Sequence, residues 1–324
     1  MAHAVRFYET GGPEVLTYEA LDLPDPGAGE VRVRHTAVGL NFIDTYHRSG
    51  LYPVPLPSGI GLEAAGVVEA VGAGVEGLVA GDRVAYGTGP LGACATHANR
   101  PADTLIRVPD GVEDEIAAAI MLKGMTAGYL LTMTRPVTAG DTVLIHAAAG
   151  GTGLLMVQWA KHLGARVLGV VGSEEKAELA RAHGCDETIL RGRDDLVARV
   201  RALTDGAGVP VVYDSVGRAT FEASLDCLAV RGMLVSFGNA SGPAPAVEPG
   251  LLAAKGSLYV TRPTLVSYTR DRAELETLAG AVLDLVADGV LKVRVEQRFP
   301  LADTAEAHRA LEAGRTLGAT ILTP

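Results

Sequence analysis

The sequence predicts an α/β fold with a β-rich first domain and a doubly wound parallel sheet in the second. Three observations point there. The segment Thr142–Gly153, TVLIHAAAGGTG, passes from an apolar run into a glycine-rich turn and then into an apolar, helix-compatible stretch, Leu154 to Leu163. Strand, tight turn and helix in that order are the physical form of a dinucleotide-binding fingerprint. From near Asp114 onward, short apolar runs alternate with helix-like stretches, the rhythm of a parallel sheet covered on both faces. Before Asp114 the chain is strand-rich, and VRVRHTAV from Val31 alternates as a half-buried strand does.

In chain order, Ala4–Phe7, Val31–Ala37, Gly66–Val71 and Arg83–Ala85 read as strands. The turns Gly11-Gly12-Pro13, Pro24-Asp25-Pro26-Gly27 and Ala80-Gly81-Asp82 separate them, and the group fits a small irregular barrel. Glu115–Lys123 and Thr126–Met133 read as two helices. Then come strand Thr142–His146, helix Gly153–Leu163, strand Arg166–Val171, helix Glu174–His183 and strand Thr188–Leu190. Helix Asp195–Thr204, strand Val209–Asp214 and helix Thr220–Cys227 follow, and Met233–Phe237 and Leu258–Thr261 complete the apolar strands. The tail, from Arg272–Ala287 to Ala319–Leu322, alternates again and is expected to return to the first domain.

Composition narrows the function classes. The chain has 324 residues, 48% apolar and 20% charged, as a globular protein with room for two domains does. A net charge of -10 without a basic stripe argues against nucleic-acid binding. Cys94, Cys185 and Cys227 lie far apart and form no CxxC, so neither a disulfide framework nor a structural zinc site is expected. The apolar stretch Val143–Ala160 carries His146, three glycines, Thr152 and Gln158, so the fingerprint accounts for it better than a membrane span. No secretory signal pattern opens the chain, and a cytoplasmic location is expected.

The fingerprint places Ala148, Gly150 and Gly153 at the three key positions of a GxGxxG-type turn, with Gly151 and Thr152 inside it. Gly150 lets the backbone approach a pyrophosphate, Gly153 lets the helix sit close on its strand, and the helix N-terminus offers amide donors. The second strand ends Val170-Val171-Gly172-Ser173. Gly172 brings no carboxylate against a 2′-phosphate, Ser173 offers a hydroxyl, and Lys176, Arg191 and Arg193 add positive charge. This pattern favours NADPH over NADH, although Glu174 and Glu175 offer carboxylates to a ribose and Lys176 reads equally as a solvated lysine.

Six stretches carry a resemblance: NFIDTYHRSGLY (Asn41–Tyr52), GIGLEAAGVV (Gly59–Val68), HAAAGGTG (His146–Gly153), VYDSVG (Val212–Gly217), VSFGN (Val235–Asn239) and GSLYVTRP (Gly256–Pro263). Together they resemble the medium-chain dehydrogenase/reductase superfamily and, within it, the zinc-independent NADPH:quinone oxidoreductases, the zeta-crystallin-like family. The resemblance spans essentially the whole chain. It implies a GroES-like catalytic domain over residues 1–120, a Rossmann domain over 121–263, and a segment, 264–324, that returns to complete the first. Zinc-dependent relatives have a ligand cysteine where this chain has Asn41 and a ligand histidine where it has Leu62, and an amide and a leucine cannot replace thiolate and imidazole. His35, His47 and His97 are too scattered to replace them.

The resemblance also implies site residues. Asn41, Tyr46 and Tyr52 line the active site, Asn41 as an amide donor and the tyrosines as hydroxyl donors. Tyr52 reads equally as a turn residue on Pro53, and Tyr46 as core aromatic filling. Lys123 and Thr126 are implied at the nicotinamide ribose and amide. Ser215, Val216 and Gly217, with Phe237, Gly238 and Asn239, follow two sheet strands and are implied to border the nicotinamide. Arg191 stands where related bacterial enzymes often have a tyrosine near the 2′-phosphate. A C-terminal arginine implied to assist that phosphate falls nearest Gly314, one position from Arg315. The implied reaction is hydride transfer from NADPH to a quinone. The alternative is reduction of an activated C=C bond in a 2-alkenal or enoyl thioester, the latter drawing on cations such as Arg48 and Arg262. The strand at Tyr259–Thr261 is implied to pair two subunits into a homodimer, which would cover an exposed apolar edge.

Overall fold

The computed structural model describes residues 1–324. The chain forms two compact units: Met1–Met125 with Thr269–Gly289 and Val293–Pro324, and Thr126–Tyr268 with Val290–Lys292.

The first unit is β-rich. A seven-stranded sheet runs in the order Val295–Pro300, Ala319–Thr323, Glu30–Leu40, Glu63–Val71, Arg83–Tyr86, Ile106–Arg107, with His97–Pro101 also paired to Glu30–Leu40. Ala2–Phe7 lies between Thr17–Leu21 and Ser58–Gly59 in a second sheet. Val31, Val33, Val38 and Leu40 of the long strand Glu30–Leu40 join Val68, Val84, Tyr86 and Leu105 in one core, the inward parity changing across register shifts in the strand. Antiparallel register sets Gly39 opposite Glu63. A Cβ on Gly39 would stand 2.1 Å from the Ala118 carbonyl oxygen and 2.4 Å from Glu63 Oε2, so only glycine lets the Glu63 carboxylate lie against this strand. Asn41 leaves the strand in extended conformation and opens the short helix Phe42–Arg48. Its side chain accepts the Asp44 amide N–H while the Asp44 carboxylate accepts the Asn41 N–H, a capping box that fixes the helix start.

The second unit is a six-stranded, wholly parallel sheet in the order Glu187–Leu190, Arg166–Val171, Thr142–His146, Val209–Asp214, Leu228–Ser236, Tyr259–Thr261. Counted within the unit this is 3-2-1-4-5-6, the Rossmann order. The order reverses between Thr142–His146 and Val209–Asp214, and the glycine turn leaves the carboxyl end of the first of these, at the switch point where such sheets bind ligands. Leu144, Leu168, Val170, Ile189, Val212 and Leu234 fill one face between sheet and helices.

Several elements differ from expectation in extent: strand Leu228–Ser236, for one, begins five residues before Met233, and two helices differ as well. Glu115–Lys123 and Thr126–Met133 are one helix, Asp114–Tyr129, closed by a π-helical turn at Leu130–Thr134. Gly124 does not break it: a Cβ there would stand 2.6 Å from Val282 Cγ1, so the glycine serves close packing. The helix after the glycine turn runs Gly151–His162 and so begins two residues earlier than Gly153. The stretch Asp114–Thr134 is long and apolar enough to cross a membrane, but 72% of its most apolar window is buried within the protein.

Candidate active site

In the second unit, the glycine turn is built around one strained residue. Ala147 has φ +52°, the left-handed region that most side chains avoid, and its carbonyl accepts the Gly150 N–H at 2.9 Å. The tight-turn residue is therefore Ala147, one position before the expected Ala148. Ala148 is fully buried, and its Cβ would stand 2.9 Å from a Cβ on Gly169 of the neighbouring strand. Gly150 caps the helix, and Gly151, Thr152 and Gly153 form its first turn, whose amides have no intrahelical acceptor. A Cβ on Gly153 would stand 2.2 Å from the Ala147 oxygen, so this position admits glycine alone. Bare backbone, free amides and a helix dipole form a cradle that fits a pyrophosphate.

At the end of the second strand, Ser173 Oγ caps the next helix by accepting the Lys176 N–H. Arg191 Nη2 lies 4.0 Å from where a Gly172 Cβ would be, and its charge, after desolvation, holds the Lys176 ammonium below the usual lysine range. The structure thus brings Gly172, Ser173, Lys176 and Arg191 together. Arg193 is engaged instead by Glu174 at 2.5 Å, which takes that carboxylate away from the group.

The two loops at the end of the sheet interlock. Asp214 Oδ1 accepts the N–H groups of Val216 at 2.7 Å and Gly217 at 3.0 Å. Gly217 has φ +89°, and a Cβ on Gly238 would stand 2.4 Å from the Ser215 oxygen. Ser215–Gly217 therefore packs directly on Phe237–Asn239, and Val216, Gly217, Gly238 and Asn239 are buried. Thr126 begins this unit, half-buried.

In the first unit, the Glu63 carboxylate organises a buried polar cluster that sequence reasoning missed. Its Oε2 accepts Lys123 Nζ at 2.7 Å and Asn41 Nδ2 at 2.8 Å, and its Oε1 accepts the Leu122 N–H at 2.7 Å. Glu63 is 0% exposed and Lys123 6%. The second Asn41 amide proton goes to the Gly39 oxygen at 3.2 Å. Both Asn41 amide protons are thus engaged within the cluster, one by Gly39 and one by Glu63. Asp44 lies in the same cluster, where burial above all, with Glu63 adding, pushes its carboxyl up to about 7. The only hint of Glu63 in the sequence was its place in GIGLEAAG, after Leu62. Tyr46 and Tyr52 are brought together, ring centroids 5.1 Å apart, and the Tyr52 N–H donates to the Tyr46 oxygen. Arg48 is no surface cation: it is buried, 2.6 Å from Glu312 and 2.9 Å from His308 Nδ1. Arg315 is exposed, 3.9 Å from Glu306, in the first unit.

The residues do not fit zinc. Asn41 and Leu62 offer neither thiolate nor imidazole, and the Glu63 carboxylate is taken by Lys123, Asn41 and Leu122. His35 Nδ1 pairs with the Ala95 oxygen, and no group of three or more His, Cys, Asp or Glu is placed to share an ion.

A β-rich first unit that offers no zinc ligands and a Rossmann second unit define a nicotinamide-dependent dehydrogenase or reductase of the medium-chain class. Residues 27–135 match the alcohol dehydrogenase GroES-like domain, and residues 151–283 match the zinc-binding dehydrogenase family. A quinone oxidoreductase of Pseudomonas aeruginosa is 54% identical, covering 100% of both chains. The crystal structure of Escherichia coli quinone oxidoreductase complexed with NADPH superposes with a TM-score of 0.98 at 48% identity, covering 99% of this chain and 100% of that one. A 2-haloacrylate reductase of a Burkholderia species is 46% identical over 100% of this chain and 99% of its own. The chain belongs to the zinc-independent quinone oxidoreductase family of the medium-chain dehydrogenase/reductase superfamily.

Proposed function

We propose that this chain reduces quinones with NADPH, without zinc, and that the residues assembled above carry the reaction. The observation that carries the reading is the full-length match to quinone oxidoreductases at 54% and 48% identity. NADPH, when bound, supplies a hydride to the acceptor. A quinone suits a metal-free site because the product of hydride addition is an aromatic hydroquinone anion.

The chain's own part is binding and charge placement. The Gly151–Gly153 amides would hold the pyrophosphate, and Ser173, Lys176 and Arg191 the 2′-phosphate. Thr126 and the Ser215–Gly217 and Phe237–Asn239 loops would seat the nicotinamide. Lys123 gives one N–H to Glu63 and keeps two for the cofactor ribose or the acceptor oxygen. Asn41 acts by holding Glu63 rather than by donating to the acceptor. A preorganised ammonium in a buried cluster stabilises a developing oxyanion more than water would. Tyr46 and Tyr52 frame the acceptor, and solvent can complete the protonation. Arg315 remains a contributor at the phosphate by family resemblance only.

Reduction of C=C bonds is the second reading, favoured by the 46% identity to the 2-haloacrylate reductase. Anaerobic incubation with NADPH and 1,4-benzoquinone, with products separated by chromatography, tests the first. One hydroquinone per NADPH consumed supports it, and absence of hydroquinone while 2-chloroacrylate is reduced transfers the assignment to the second.

We place the protein in the cytoplasm as a homodimer. The edge strand Tyr259–Thr261 pairs on one side only, and Tyr259, Val230 and Val266 are exposed. Two copies joined edge to edge would cover them. A monomer mass by light scattering contradicts the dimer.

A further inference from the structure

The second unit contains a buried chain of hydrogen bonds that none of the roles above uses. Asp214 Oδ2 accepts Thr220 Oγ1 at 2.7 Å and Ser224 Oγ at 2.8 Å, while its Oδ1 holds the Val216 and Gly217 amides. Ser224 Oγ lies 3.0 Å from His146 Nε2. Ser224 has one proton, and the carboxylate, which can only accept, takes it. The hydroxyl oxygen must then accept from His146, which fixes the Nε2–H tautomer. His146 Nδ1 is left as a buried acceptor without a partner. All three side chains are essentially buried, at 1%, 0% and 1% exposure for His146, Ser224 and Asp214.

The placement of the two ends gives the chain its meaning. His146 is the last residue of its strand and immediately precedes Ala147, the left-handed residue that shapes the glycine turn. Asp214 is the last residue of the adjacent strand and directly holds the loop Ser215–Gly217. We propose that His146 and Ser224 are positioning residues for NADPH: through Asp214 they lock the glycine turn and the Ser215–Gly217 loop in one mutual register. This rests on the cofactor reading given above.

Two features support positioning over packing alone. A left-handed non-glycine residue persists only where its surroundings over-determine it, and the hydrogen bond on His146 is one such restraint. An apolar pair would also fill the space without leaving the His146 acceptor unpartnered; that unsatisfied nitrogen is tolerated for the direction the other one enforces.

Four proteins test this: wild type, Ser224→Ala, His146→Leu and His146→Gln. Gln places an amide N–H near the imidazole Nε2 position, so it can rescue the hydrogen bond where Leu cannot. The readouts are the Kd for NADPH by nicotinamide fluorescence, the melting temperature, and KM and kcat with 1,4-benzoquinone. Ser224→Ala and His146→Leu are expected to weaken NADPH binding about tenfold, the equivalent of one buried hydrogen bond, while His146→Gln stays within about twofold of wild type. The loss should fall on KM for NADPH and not on kcat at saturation. Wild-type NADPH affinity in Ser224→Ala and His146→Leu overturns the proposal, whatever their melting temperatures, and so does a His146→Gln variant as weak as His146→Leu. If wild type binds NADPH but does not reduce the quinone, the substrate reading fails while the affinity comparison still decides this one.

Discussion

Lys123 Nζ and Glu63 Oε2 form an ion pair at 2.7 Å with both side chains buried. Asn41 Nδ2 donates to the same Glu63 oxygen at 2.8 Å, so the pair holds an ammonium fixed within a buried polar cluster. Removing one partner of a buried pair strands the other, at a cost of about 3–5 kcal/mol. Lys123→Met should lose stability on that scale. Glu63→Gln combined with Lys123→Met, which removes both charges, should recover at least half of it. Urea unfolding measures both, and a double variant as unstable as Lys123→Met would contradict the recovery expected when the stranded Glu63 charge is removed.

Asp44 gives the fold a pH dependence. Its carboxyl titrates near 3.8 in a free chain and is pushed up to about 7 here, first by burial, with the Asn41 N–H and Lys123 opposing. Across that window the folded protein holds a proton that the unfolded chain releases. The contribution of Asp44 is therefore full below pH 3.8 and is lost as pH rises through about 7. Asp44→Asn keeps an oxygen for the Asn41 N–H and removes the ionisation. Its stability advantage over wild type should grow from pH 5 to pH 7 and level off above. A difference that does not change with pH would mean that Asp44 is ionised throughout.

Cofactor preference should depend on the cations around Gly172. Lys176→Ala and Arg191→Ala are each expected to lower kcat/KM with NADPH about tenfold or more, and with NADH less than about threefold, because each removes a charge-assisted contact to a phosphate that NADH lacks. Steady-state kinetics with both cofactors checks this. Equal losses with NADH would assign the two residues to the fold and not to the 2′-phosphate.

The two tyrosines can be removed as donors without removing their rings. If Lys123 supports the oxyanion and solvent completes protonation, the double variant Tyr46→Phe, Tyr52→Phe should keep kcat with 1,4-benzoquinone within about tenfold of wild type, less than the loss expected for a general acid. A fall of about a thousandfold would assign the proton to a tyrosine hydroxyl.

The sequence made the second unit legible because its signals are local. A strand, a glycine turn and a helix are contiguous, with Gly150 at the helix cap and Gly153 in its first turn. Ala147 was not readable as the left-handed residue, because nothing in AAAGG distinguishes one alanine from the next. The acceptor side was harder. Glu63, Asn41 and Lys123 are up to 82 residues apart in sequence, and only the Gly39–Glu63 register and the long helix Asp114–Tyr129 bring them together. Arg48 reads in the sequence as a candidate cation for an enoyl thioester because the partner that holds it in the interior, Glu312, lies 264 residues away. The helix Asp114–Tyr129 reads as two pieces in the sequence, and its Gly124 lies in the gap between them, where it serves close packing on Val282.

The most direct test of the central claim is NADPH oxidation by purified, EDTA-treated protein, with 1,4-benzoquinone, 9,10-phenanthrenequinone, 2-hexenal and crotonyl-CoA in parallel and NADH as cofactor control. Fast turnover of both quinones with NADPH, slower turnover with NADH and no gain on adding zinc are the expected results. Preference for 2-hexenal or crotonyl-CoA, or activity lost with EDTA and restored by zinc, would contradict that claim.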